Sequence, residues 1–303
     1  MNFSHFFLVC FFVCQNYIIS ENHTVASLQI DLTAIPKKLV ESHFRLAGVD
    51  TLHDSTTSVL FTSSGKISTV QKSYSEDNKH IAFHSTFLFY KKGILVGKSE
   101  YIGGDLKDSI KFNYNRGGDL RTVNYYNSHG HQVRSKLLSY NSRHLLISVR
   151  EKDKRNRLMK MIRYDYRNDS LVAARIYDHQ MRYTSRQEYQ TERQSDGNYL
   201  KMHFQFDHPD TCSGMQSVLL DQQGRELERT IADGERRVVE YTTLTYNDDG
   251  LLASLVSFSD VKTEQTFRYT IDSLGNWTER WVFEDTSLVS FSRREFQYPK
   301  RKR

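Results

Sequence analysis

Cysteine is nearly missing from this chain: 303 residues carry three, Cys10, Cys14 and Cys212. The first two lie in an opening stretch where an apolar run from Phe6 to Val13 is followed by Gln15-Asn16 and the small Ser20. That run is too short to span a bilayer as a helix and has the length of the core of an export signal. Residues 1–20 therefore read as a signal peptide cleaved after Ser20. An uncleaved anchor is the competing reading, because the first five residues hold no Lys or Arg. Val9 and Val13, which precede the two early cysteines, are too bulky for a lipoprotein cleavage site. Removal of the signal leaves Cys212 alone, which excludes an intramolecular disulfide and a cysteine-based zinc site.

Proline is as rare as cysteine, with three residues, and glycine numbers 15, so a proline-rich linker protein is excluded. Hydrophobic residues make up 38% of the chain, a low share for a fully wrapped interior, while Tyr and Phe reach 18 each. Rings with few aliphatics suit a half-solvated sheet, where aromatic side chains cover a pleated face. An excess of one charge is also lacking, since 42 basic residues meet 36 acidic ones for a net charge of +6. The two signs are interleaved, which reads as a solvated surface, and no nucleic-acid partner is expected. The basic end Pro299-Lys300-Arg301-Lys302-Arg303 is the one exception and leaves contact with a membrane surface open.

What the chain does have is alternation. Met202, Phe204 and Phe206 alternate with Lys201, His203 and Gln205, and Ile110, Phe112 and Tyr114 alternate with Lys111 and Asn113. Phe296 and Tyr298 do the same against Glu295 and Gln297. This period marks antiparallel strands with one buried face. Residues 81–90 are apolar on both sides and read as a strand covered twice. Turn signals such as Arg116-Gly117-Gly118, Asp196-Gly197, Asp233-Gly234 and Asp249-Gly250 separate the strands. Tyr114, Tyr126, Tyr140, Tyr164 and Tyr177 recur at 12 to 14 residues or twice that, the length of a strand plus a turn. The expected fold is all-β: an antiparallel meander of hairpins forming a large twisted or curved sheet. One short helix is expected near the start, opened by Pro36, with Ile35, Leu39 and Phe44 on one face and Gly48 as its end. The expected organisation is a signal at 1–20, a lead-in with that helix at 21–56, and a hairpin-repeat domain at 57–303.

Two stretches carry a more specific pattern. Tyr246-Asn247-Asp248-Asp249-Gly250-Leu251-Leu252 and Asp272-Ser273-Leu274-Gly275-Asn276-Trp277-Thr278 resemble the YD repeats of RHS-type exported bacterial proteins, most clearly over residues 246–281. In the first, Asn247 takes the aspartate position and Leu251 stands where arginine is usual. The resemblance implies hairpins and says little about activity. RHS shells use many more repeats to enclose a cargo, and no toxin-like domain follows here, so encapsulation is not implied.

Chemistry-bearing constellations are sparse. His203, Asp207 and His208 are near in sequence, but the first two share one strand face and His208 points the other way before Pro209. His129 and His131 flank a turn glycine. Neither set converges as metal ligands must. There is no Gly-x-Ser-x-Gly elbow, and Gly103-Gly104 and Gly117-Gly118 lack the lysine and helix of a phosphate loop. No catalytic, metal or cofactor residue is assigned, and no cofactor is expected. The candidates for ligand contact are aromatics able to stack on sugars, Tyr269, Trp277, Trp281 and Phe283, weighed against a plain role in covering the last hairpins.

These features point to an exported, non-enzymatic β-repeat protein of the periplasm, outer-membrane surface or medium. The expected role is an envelope binding or structural module with a glycan or envelope protein as partner. A second reading is a periplasmic half-barrel carrier for lipid or lipoprotein, lined by residues 81–90 and 145–149. A glycan-active enzyme is the third.

Overall fold

A computed structural model describes residues 32, 35–47, 50–76, 80–207 and 211–299. The expected signal, His208 and the basic residues 300–303 lie outside them.

Every regular element among the described residues is a strand. The first ten are β1 (Lys38–Ala47), β2 (Asp50–Phe61), β3 (Ile67–Glu76), β4 (His80–Lys91), β5 (Ile94–Ile102), β6 (Asp105–Tyr114), β7 (Leu120–Asn127), β8 (Gln132–Tyr140), β9 (Leu146–Asp153) and β10 (Leu158–Arg167). The next five are β11 (Ser170–Asp178), β12 (Tyr183–Arg193), β13 (Tyr199–Asp207), β14 (Cys212–Leu220) and β15 (Glu226–Asp233). β16 (Val238–Tyr246), β17 (Leu252–Phe258), β18 (Lys262–Ile271), β19 (Trp277–Glu284) and β20 (Ser287–Gln297) complete the series.

Each strand pairs antiparallel with the next, as the turn signals imply, and β20 then pairs antiparallel with β1. The 20-stranded sheet is thus a closed barrel, which corrects the expected open, twisted or curved sheet. The expected N-terminal helix is also overturned. Residues from Lys38 form β1, which bonds to β2 on one side and β20 on the other. The physical reason is the same for both corrections. A meander ends in two strands with unpaired N–H and C=O groups, and one extended segment satisfies both edges where a helix would satisfy neither. β1 fits that place because it alternates: Leu39 is fully buried, and Phe44 stacks on Phe291 at 5.2 Å.

The turns explain the recurring Asn and Asp. At each of several turns this side chain caps the loop it begins. Asp153 Oδ1 accepts the N–H groups of Arg155 and Arg157 at 2.8 and 2.9 Å. Asp178, Asp221, Asp233 and Asp272 repeat the pattern. Four of these aspartates also bind the arginine four residues on: Arg157, Arg182, Arg225 and Arg237. Such a loop needs a residue with positive φ before the chain re-enters the sheet, as at Gly250 (78°) and Gly275 (83°).

A second device recurs on four strands at the same end of the barrel. The register shifts just before Tyr114, Tyr140 and Tyr246, each the last residue of its strand, and before Tyr166, the last but one of β10. Each ring keeps the inward face that alternation gives it. The hydroxyls of Tyr114, Tyr140, Tyr166 and Tyr246 donate to a carbonyl one strand back, Leu95, Leu120, Leu146 and Glu226 respectively, at 2.8–3.0 Å. Tyr126 and Tyr177 from the sequence series lie on the other face, so the working period is the hairpin, not the strand.

Candidate functional site: the inner wall of the barrel

The two faces of the sheet differ in chemistry. One carries Leu39, Val59, Val70, Ile110, Val123, Leu138, Val149, Ile162 and Ala174, each at most 6% exposed. Leu39, Val59 and Val70 are cross-strand partners on β1 to β3, as are Leu138, Val149 and Ile162 on β8 to β10, and they crowd because this face is concave. The opposite, convex face carries Gln71, Lys111, Arg150, Arg163, Arg175, Arg268 and Arg293 in mid-strand, all exposed. Cations at that height on a lipid-facing wall cost about 2–4 kcal/mol each near the bilayer midplane. The outer wall is therefore built for water. No helix among the described residues is long and apolar enough to cross a membrane.

Closed sheets of about sixteen strands or more leave an interior that side chains do not fill. The contacts agree with this. Side-chain hydrogen bonds, ion pairs and ring contacts run between neighbours around the ring or between successive turns at one end.

The inner wall has three zones. An aliphatic belt runs from β1 through β11 toward the end that bears the tyrosine hydroxyls. One cluster joins Ile110, Val123, Leu138, Leu146, Val149, Ile162, Tyr164 and Ala174, and a smaller one joins Leu39, Val59 and Val70. The same strands turn charged toward the opposite end. There Lys98 pairs with Glu100, Arg134 pairs with Glu151 at 2.9 Å, and the Arg134 guanidinium lies 4.1 Å from the Tyr125 ring centre. Burial, reinforced by the Glu100 charge, raises the Asp108 carboxyl above its ordinary value. At the seam, Glu41 on β1 and Arg294 on β20 form a buried pair at 2.8 Å, with the guanidinium 3.4 Å from the Trp277 ring centre. Burial is the main force holding the neighbouring His43 imidazole below its usual pKa.

The third zone, at the middle of β12 to β14, is polar and uncharged, with Lys201 and Asp207 on the same face toward the two ends of β13. Gln187 pairs across the sheet with Gln205, and Gln205 with Gly214. One row away, Tyr189 pairs with His203, and His203 with Gln216. The Tyr189 and His203 rings lie parallel at 5.0 Å, and the Tyr189 hydroxyl donates to Gln187 Oε1 at 2.8 Å. Burial lifts the Tyr189 phenol to about 12 and lowers the His203 imidazole, so both are neutral near neutral pH. This zone offers amides and rings with no formal charge.

The sequence candidates fall apart in space. Tyr269 and Trp277 sit on the inner face in edge-to-face contact at 6.1 Å, with Trp277 only 4% exposed. Trp281 and Phe283 lie on the outer face, where Trp281 stacks with Phe291 at 6.1 Å. The four do not form one platform. Of the two segments expected to line a carrier, Thr86, Leu88, Leu146 and Val149 face inward, whereas Phe83, Phe87 and Phe89 face outward. His203 and Asp207 share the inner face, as the alternation implies. Among the described residues no group of His, Cys, Asp and Glu could hold a metal ion.

The structure also brings together residues that the sequence left apart. His144 Nδ1 lies 3.0 Å from the Asp119 carboxylate, in a cleft of about 330 Å³ lined by Asn115, Arg121, Leu138 and Tyr140. Burial opposes ionisation of Asp119, but hydrogen bonds from Asn115 and His144 prevail and hold it below the usual carboxylate range. The cleft clasps two successive turns. The glutamine zone was missed because period-two reading credits apolar residues and discards the polar alternates.

No family model matches the chain, and no curated protein matches it. Among solved structures it is similar to a porin-like protein from Bacteroides uniformis, at 14% identity over 87% of this chain and 98% of that chain, with a TM-score of 0.37. It is also similar to TcdB2-TccC3 without its hypervariable C-terminal region, at 10% identity over 83% and 18% of the two chains, TM-score 0.23. A third is a DUF1329 family protein from Desulfovibrio piger, at 11% identity over 91% and 92%, TM-score 0.17. Likeness at these scores carries no argument about what the chain does.

Proposed function

We propose that this chain is an exported, non-enzymatic container whose barrel interior holds an amphiphilic guest, a lipid or an acylated protein segment. The observation that carries the reading is the division of the inner wall. Aliphatic side chains occupy the β1–β11 arc, and neutral amides and rings occupy the middle of β12–β14. An acyl chain gains from the first by removal of apolar surface from water, at about 25 cal/mol per Å². A polar head finds hydrogen-bond donors and acceptors on the second. The charged outer wall supports a barrel that works in water, and the apolar start of the chain supports export. The repeated hairpins with Asn or Asp turns support kinship with YD-repeat proteins as the source of the architecture.

The test is an organic extract of the purified mature protein, analysed by mass spectrometry, together with titration of a fluorescent fatty acid. Recovery of an acyl-bearing guest and saturable probe binding are expected, and Ile176→Gln on the inner arc should weaken the probe several-fold. An extract without lipid and a probe that does not bind would reject the container.

A further inference from the structure

The chain's positive charge is interleaved with negative charge in sequence, but folding gathers part of it on the outer wall. Arg163 on β10 pairs directly with Arg175 on β11, and Arg175 pairs directly with Arg186 on β12. Their neighbours Ile162, Tyr164 and Ala174 are buried on the inner face, so all three arginines point outward. Three guanidinium groups therefore stand in one row across three strands, about 4.8 Å apart at the backbone. Like charges directly opposite each other on a sheet are unfavourable, so this row is held against mutual repulsion. Arg150 lies beside it on β9, across from Met161. Carboxylates relieve the row only in part. Arg175 reaches Asp165 at 3.2 Å and Arg186 reaches Glu188 at 3.0 Å, while among the described residues no carboxylate pairs with Arg163 or Arg150. The next row adds aromatic surface, with Tyr177 and Tyr183 edge to face at 5.8 Å.

We infer that this row is a binding site for an extended acidic polysaccharide, a chain of uronate sugars lying across β10, β11 and β12. Guanidinium and carboxylate match as planar, two-pronged partners. Every unit of such a chain carries a carboxylate, so several charges fall along a row that spans three strands. Phosphates along an extended nucleic-acid strand stand farther apart, so fewer fall on it. Tyr183 supplies apolar ring surface for a sugar, while Tyr177 lies under the Arg163 guanidinium, 5.5 Å from its ring centre. The site lies outside the barrel and is independent of any guest within it.

The experiment uses the full chain and a galacturonate oligomer long enough to cross three strands, with binding followed by calorimetry. Saturable binding that weakens as salt rises is expected. Arg163→Ser and Arg175→Ser should each lower affinity about tenfold, the loss of a charge-assisted hydrogen bond. Arg163→Lys should lose part of that, and Arg268→Ser on the far side of the outer wall should lose nothing. All three positions are exposed, and unchanged far-ultraviolet circular dichroism verifies folding. The inference is overturned if the oligomer does not bind, if a neutral maltooligosaccharide binds equally well, or if the two serine variants bind like wild type. Tighter binding of oligo-dT or of phosphatidylglycerol vesicles through the same arginines would also overturn it.

Discussion

The β1–β20 ladder that closes the barrel encloses one buried charge pair, and removal of one partner should be costly. Glu41 and Arg294 face each other across the β1–β20 seam, their side chains 8% and 5% exposed. Arg294 Nε donates to Glu41 Oε2 at 2.8 Å, and Trp277 covers the guanidinium. Glu41→Ala would leave a cation in a site where water cannot replace the lost carboxylate. Breaking a buried pair on one side costs about 3–5 kcal/mol. For a chain of this size each kcal/mol shifts the melting temperature by about 2–4 °C, so a drop of roughly 6–20 °C is expected. The paired variant Glu41→Leu with Arg294→Met removes both charges and lets an apolar side chain pack on Trp277. It should recover to within about 1–2 kcal/mol of wild type, because the pair's attraction and its desolvation nearly cancel. Urea unfolding with linear extrapolation measures all the variants, and constant m-values show that the unfolded reference has not moved. Hydrogen exchange adds the location, with β1 and β20 amides losing protection first in Glu41→Ala. A cost below about 1 kcal/mol for the single change, or a double variant no better than the worse single one, would refute the clasp.

Three further outcomes test the turns and the tyrosine ring. Asp153 is held below the usual carboxylate range by the backbone N–H and side chain of Arg157, and Asp233 by the side chain and backbone N–H of Arg237. A depressed folded-state pKa adds stability above the unfolded value, and that stability is lost as pH falls through the folded value. Melting temperature should therefore drop below about pH 4, and Asp221→Asn, which keeps one acceptor but no charge, should flatten the drop. Tyr140→Phe removes the hydroxyl bonded to Leu120 O at 2.9 Å and should cost about 1 kcal/mol in urea unfolding. An unchanged midpoint would show that water serves the carbonyl equally well. At Gly250, where φ is 78°, substitution by Val should cost at least about 1–2 kcal/mol and substitution by Asn clearly less, measured by thermal melting.

Strand identity was legible in the chain because alternation is local: a residue and its second neighbour share a face whatever lies beyond. The Asn and Asp turns were legible for the same reason, since Asp153 caps Arg155 and Arg157 within its own loop. The expected helix at Pro36 failed because ten residues of mixed polarity fit both periods, and only the two open edges of the meander decide between them. The candidate aromatics lie on strands, but the bulge at Thr278, between Trp277 and Glu279, puts Trp277 on the opposite face from Trp281. The arginine row and the glutamine zone were out of reach, because register between strands puts Arg163 beside Arg175 and Gln187 beside Gln205.

By itself, then, the sequence determined hairpins, their turns and their order, all set by forces acting over a few residues. Only the tertiary structure decided that the last strand meets the first. That contact depends on accumulated twist and on pairing between residues some 250 positions apart, such as Glu41 and Arg294. Once the ring closed, concavity separated an inner wall from an outer one, and the same alternating residues became a lined interior and a charged exterior.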